Sequence, residues 1–203
     1  SLTPDAIQGL TKDQVTALDK SVFGVMTKAQ AEVLTGEQVS GMTSEQIKLL
    51  KPDALKALSS EEQLTNLDVT ALTAGQVAIL TGGQIKNMGA EQITKLDATQ
   101  IAAISSSQFN RLGNHQIRAL SSHVIAALSD EVIENVPQSQ MRLFSKEQIA
   151  CLTTTQVQSL SQQTVNQLSR TQVSALTSDQ LNAFSDVQLR QLNLNAVKGL
   201  TAE

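Results

Sequence analysis

Apolar residues recur along this chain with a period of eight. If each unit is numbered from its opening apolar residue, position one falls on Leu2, Leu10, Leu18, Met26, Leu34, Met42, Leu50 and Leu58. After a break it resumes at Leu72 and runs through Leu80, Met88, Leu96, Ile104 and Leu112 to Leu200. Position six is apolar too, as at Val15, Ile47, Ile101, Ile125 and Val173. Position two is Thr, Ser, Asp, Asn or Gly nearly everywhere, and position five is usually Gln, as at Gln14, Gln38, Gln92, Gln148 and Gln172. A fixed self-similar period takes precedence over local propensity.

Read locally, the unit is a helix start. Thr, Ser, Asp, Asn and Gly are the preferred N-cap residues. Thr or Ser followed three residues later by Gln forms a capping box, in which hydroxyl and amide each take up an otherwise orphan backbone N–H. The apolar pair at positions one and six staples it. Pro4 and Pro52 fall at position three, the first helical residue, where a missing N–H costs nothing. Asp13, Glu37, Glu45, Glu91, Glu147 and Asp179 sit in first turns, at the positive end of the helix dipole.

The next start comes eight residues later, so each helix has room for about a turn and a half. So short a helix is stable only against neighbours. The expected fold is therefore all-α: a superhelical solenoid of stacked short helices over residues 1–203. A β-solenoid is the rival, but strict two-residue alternation is absent and capping boxes have no role in strands.

A slower period sets the size of a coil. After the break, positions seven and eight are both small in every third unit: Ala102–Ala103, Ala126–Ala127, Ala150–Cys151 and Ser174–Ala175. Three octads per turn follow, with the small pairs stacked in one column of close approach and Cys151 a small buried stand-in for Ala. On that view, removing a single octad turns everything downstream by a third of a turn and destabilises the protein. Between Leu58 and Leu72 the chain has fourteen residues where two octads need sixteen. Within this irregular stretch at 58–71, Ser60, Gln63 and Leu64 form a box displaced by one residue, and Leu67–Asp68 opens a truncated unit. Pro137 stands at a cap position, a second irregularity.

Composition narrows the functions. With no Trp, no Tyr and four Phe, the chain has almost nothing on which to stack bases. A net charge of −4 and a pI near 5.2 give no field to attract phosphates, so nucleic acid is not expected as a partner. No apolar run is long enough to span a bilayer, so no membrane insertion is expected. The single Cys151 allows no intrachain disulfide. The chain starts inside the repeat at Ser1 and stops inside another at "LTAE", which suggests a monomeric piece of a longer array.

Catalytic and metal chemistry finds no foothold. His115 and His123 stand eight apart, so with three octads per coil they point in different directions. No metal-ligand motif accompanies them. "SSHV" at Ser121–Val124 puts Ser beside His without an orienting third group. Gly82–Gly83 falls in a helix start and lacks the Lys of a phosphate loop. No catalytic residue, cofactor or metal is expected. Lys12, Lys20 and Lys28 recur at position three of successive octads; a solvated face is the favoured account of them, and as the minority reading they are the candidate partner-contacting residues.

"LTTTQVQSL", "LSRTQVSAL" and "LDATQIAAI" resemble the L-[ST]-x-x-Q-[IV]-x-A octapeptide repeats of very large bacterial secreted or surface proteins. These are adhesin-like proteins, loosely described as haem-utilisation proteins. The resemblance covers nearly the whole chain and implies a secreted or cell-surface setting with a protein or cell surface as partner. No residue combination here makes an axial-ligand pocket for haem. "LTPDAIQGL" also resembles the opening of TAL-effector repeats, but the period of eight and the acidic charge exclude that family. The expected function is a non-enzymatic spacer or interaction region, with a protein-binding scaffold of a secreted effector as the alternative.

Overall fold

The computed structural model describes residues 2–192, so Leu200 and the end of the array lie outside the described residues. Among these residues there are short α-helices of four to six residues, one 3-10 turn and no strand. The chain divides into two compact units, Ser1–Ala103 and Ile104–Glu203, and each is built in the same way.

Each helix begins and ends as the octad dictates. At Thr11, Thr35, Thr81, Ser145 and Thr177 the hydroxyl accepts from the backbone of the Gln three residues on, whose side chain accepts from the cap N–H. Gly89 and Gly113 supply only the N–H half of the box, because glycine has no hydroxyl. Many helices stop at the next position-one residue, whose backbone turns extended, as at Leu18 (ψ 140°) and Leu128 (ψ 144°). The following cap residue is extended as well, as at Ser129 (ψ 152°). Among the described residues no backbone has positive φ, so the chain turns corners without the left-handed residue that commonly ends a helix.

Helices stack on their third neighbours. In the first unit Lys12–Ala17 packs on Gly36–Ser40, which packs on Glu61–Asn66, while Lys28–Glu32 packs on Pro52–Ala57. In the second, Asp130–Glu134 packs on Thr154–Ser159 and that helix on Ser178–Ala183. Three octads make one turn, as the slow period implied. Positions one and six form the core: Leu34, Ile47, Leu58 and Ile85 in the first unit, Ile117, Leu128, Ile149 and Val165 in the second, are all buried.

The reason offered for the three-octad turn needs correction. Ala102, Ala126, Ala150 and Ser174 are exposed, and Ala103, Ala127, Cys151 and Ala175 are only half-buried. With position six facing the axis, position seven follows about 100° further round the helix and leaves the core. Cys151 is therefore not a buried substitute for Ala. A tight approach occurs elsewhere, at two glycines of one helix segment. A Cβ at Gly36 would lie 2.7 Å from the Glu62 carbonyl oxygen, and one at Gly41 would lie 2.7 Å from that of Lys12. The Thr16 hydroxyl also donates to the Gly41 carbonyl at 2.6 Å across this contact.

The irregular stretch keeps the architecture. Ser60 and Gln63 cap helix Glu61–Asn66, one residue late, and Leu64 is buried. Asp68 then caps the 3-10 turn Val69–Ala71, which stands in for a whole helix.

Candidate functional site

The position-five glutamine has a second task that its place in the capping box does not reveal. Gln38 accepts the Thr35 N–H through Oε1 (2.9 Å), while its Nε2 donates to the carbonyls of Ile7 (2.9 Å) and Leu10 (2.7 Å), one coil below. Gln156 does the same in the second unit, accepting from Thr153 at 2.8 Å and donating to Ile125 at 2.9 Å and Leu128 at 2.7 Å. In the regular rungs the acceptors are the carbonyl of a position-six residue, which also accepts from the N–H three residues on, and that of the next position-one residue, which lies past the helix end. Most of these glutamines are buried, with Gln46, Gln84 and Gln156 each 1% exposed. Glutamine suits the place because it carries one acceptor and a two-hydrogen donor. Glutamate would complete the box but would turn a carboxylate toward carbonyls. That preference for Gln over Glu was the available sequence signal.

The ladder also measures the chain. In regular coils Nε2 reaches back 31 and 28 residues, as Gln46 does to Val15 and Leu18. Across the extra residue of the irregular stretch, Gln63 reaches back 32 and 29, to Ala31 and Leu34. Past the truncated unit Gln92 reaches back only 28 and 25, to Leu64 and Leu67. At Gln100 the separations return to 31 and 28. The irregular coil thus keeps both rungs at each of these glutamines.

One rung is incomplete. Gln140 donates to the carbonyls of Asn110 and Leu112, but its Oε1 is buried with no partner. The residue three before it is Pro137, which has no N–H to give.

With caps and ladder satisfied, the variable chemistry lies on the outside. Lys12, Lys20 and Lys28 are exposed on three successive helix segments that belong to three different columns, so the fold does not bring them together. Lys20 lies 3.9 Å from Glu45 and Lys28 3.5 Å from Glu32, exposed pairs of small energetic weight. His115 and His123 are exposed on adjacent helices, and the Ser121 hydroxyl accepts from the Val124 N–H as a cap. Gly82–Gly83 opens helix Gly82–Asn87.

Two carboxyls are held below their usual range. The Ser21 hydroxyl and N–H do this to Asp19, and the Glu147 carboxyl is lowered by its own N–H and the Ser145 hydroxyl. Both are helix-start acceptors without a proton to offer at neutral pH. Beside the 3-10 turn lies a cleft of about 310 Å³ lined by Thr65, Asn66, Asp68, Gln92 and Lys95. Among the described residues no group of three His, Cys, Asp or Glu could hold a metal ion, and no helix is long and apolar enough to cross a membrane. Comparison with protein-family models and with curated proteins finds no match.

Proposed function

We propose that this chain is a non-enzymatic spacer or interaction region of a large bacterial secreted or cell-surface protein. The ladder is the observation that supports this reading. It joins each coil to the one below through main-chain acceptors that every octad possesses, so the repeat is a unit of length and its outer residues can vary without disturbing it. The chain works as a segment of a larger polypeptide, and its partner, if it has one of its own, is a protein or cell surface met by positions three, four and seven.

A protein-binding scaffold of a secreted effector is the second reading. The cleft beside Val69–Ala71 favours it, because irregular segments on a regular scaffold are where binding residues concentrate. Non-overlapping deletions of whole coils separate the two. Each variant is first shown to be folded by circular dichroism and then coated on beads and scored for adhesion to cell surfaces. A spacer gives the same adhesion wherever the cut falls, including none at all. One folded deletion that alone abolishes adhesion overturns the spacer reading, and the cut removing Leu58–Ala71 is the one the scaffold reading singles out.

A further inference from the structure

Inside the second unit one polar residue other than glutamine holds position five. This is Thr164, which is 3% exposed. A regular position-five amide makes three ties: it accepts the cap N–H of its own octad and donates to carbonyls 31 and 28 residues back, as Gln180 does. At Thr164 the corresponding groups are the Ser161 N–H and the carbonyls of Ile133 and Val136. Threonine reaches none of them. Its hydroxyl pairs with that of Ser161 at 2.9 Å, and its N–H donates to the same Ser161 oxygen at 3.1 Å. The Ile133 carbonyl keeps the local bond from the Val136 N–H at 3.3 Å. The Ser161 N–H and the Val136 carbonyl have no partner among the described residues, and Val136 is buried.

The coils do not close up to compensate. The rungs of the octads before and after keep ordinary lengths, from Gln156 to Ile125 and Leu128 at 2.9 and 2.7 Å and from Gln172 to Met141 and Phe144 at 2.8 and 3.1 Å. Ile133 and Val165 are fully buried, like their counterparts in those octads. The spacing at Thr164 is therefore one set for glutamine, and threonine falls short of it by about the bulk of one water, ~30 Å³. The near side of the same peptide brings no help. Pro137 has no N–H, and the Gln140 Oε1 that would take it is buried without a partner. The Val136–Pro137 peptide, which a regular octad ties to a glutamine on each side, is here tied to neither. Buried main-chain groups are nearly always paired, with protein or with ordered water.

We propose that Thr164 anchors a binding site for one ordered water molecule, which replaces the glutamine amide in this rung. Water has the connectivity that the place requires. One oxygen accepts from the Ser161 N–H and the Thr164 hydroxyl, and two hydrogens go to the carbonyls of Val136 and Ile133. Four such partners are what a buried water takes, and bonds bridged in this way are nearly as favourable as direct ones. Val124 and Val132, apolar at the same position of their octads, have no hydroxyl to hold such a molecule. The ladder of the second unit is thus completed at this point by solvent, and the inference does not rest on the spacer reading.

Two measurements on the full chain test it. A crystal structure at a resolution that shows ordered solvent should place a water within hydrogen-bond distance of the Ser161 nitrogen, the Val136 oxygen and the Thr164 hydroxyl. In solution, oxygen-17 magnetic relaxation dispersion counts long-lived water molecules in wild type and in T164Q. The glutamine side chain supplies the missing amide, so T164Q should hold one long-lived water fewer, with unchanged helical circular dichroism. Equal counts in the two folded proteins overturn the proposal. So does a crystal structure in which the Ser161 N–H and the Val136 carbonyl are paired with protein groups or have no water between them. If T164Q fails to fold, the wild-type crystal structure decides alone.

Discussion

At the scale of a residue, the position-five glutamine links local and long-range structure. Gln156 holds one N–H of its own helix start and two carbonyls of the coil below. Replacing it with Ala takes the partner from the Leu128 carbonyl and the Thr153 N–H and leaves the Ile125 carbonyl with only the Leu128 N–H, so Q156A should cost about 2–4 kcal/mol in chemical denaturation. Q158A, at an exposed position seven of the same octad, should stay within about 0.5 kcal/mol of wild type. The orphaned Oε1 of Gln140 makes the opposite prediction. P137S restores an N–H opposite it and a capping hydroxyl, offset in part by the greater freedom of the unfolded chain. The net gain should be about 1 kcal/mol, read as a higher denaturation midpoint. Half of this residue's role was legible in the sequence. The capping box is a spacing of three and visible in one dimension, but the bonds to the coil below span some thirty residues and required knowing which carbonyls a short helix leaves open.

At the scale of an element, helix starts, Pro positions and the displaced box at Ser60 were all legible, because each rests on contacts within one octad. The packing of one coil on the next was not. The small pairs gave the right period for the wrong reason, since the residues that set a close approach are single glycines at Gly36 and Gly41. A methyl group at either position meets backbone, so G36A and G41A should each lower stability by about 1–3 kcal/mol. Gly75 and Gly83 lie inside helices, and a methyl there makes only ordinary contacts, at 3.9 and 3.8 Å. G75A and G83A should therefore stabilise by about 0.5–1 kcal/mol through helix propensity. Thermal unfolding of the four variants tests both signs together. If all four shift the same way, close approach is not what Gly36 and Gly41 provide.

At the scale of the molecule, the ladder changes what a deletion should do. Removing Leu128–Cys151 takes out a full coil, and every glutamine beyond the cut again meets a position-six and a position-one carbonyl. Removing only Leu128–Asn135 was expected to be damaging, because it turns all that follows by a third of a turn. The rungs, however, use main chain common to every octad, so the smaller cut also leaves them in phase. Both cuts remove Asp130 and Glu131, and with them the bonds to Thr155 and Ser106 at 3.2 Å, but only the single-octad cut also moves the remaining exposed residues into a different column. Both deletions should fold cooperatively, the single-octad cut weaker by about 1–2 kcal/mol. A cut of half an octad, Leu128–Glu131, puts glutamines and core residues out of phase and should abolish cooperative unfolding. The reach of the ladder also bears on how the molecule is made. Each glutamine looks only backward along the chain, and the longest rung described above, from Gln63 to Ala31, spans 32 residues. A coil can therefore close as soon as the octad above it has emerged, without waiting for anything still to be synthesised. Such short-range closure favours rapid folding and leaves little apolar surface exposed at any moment. The chain can harden behind its own leading end as that end leaves the ribosome.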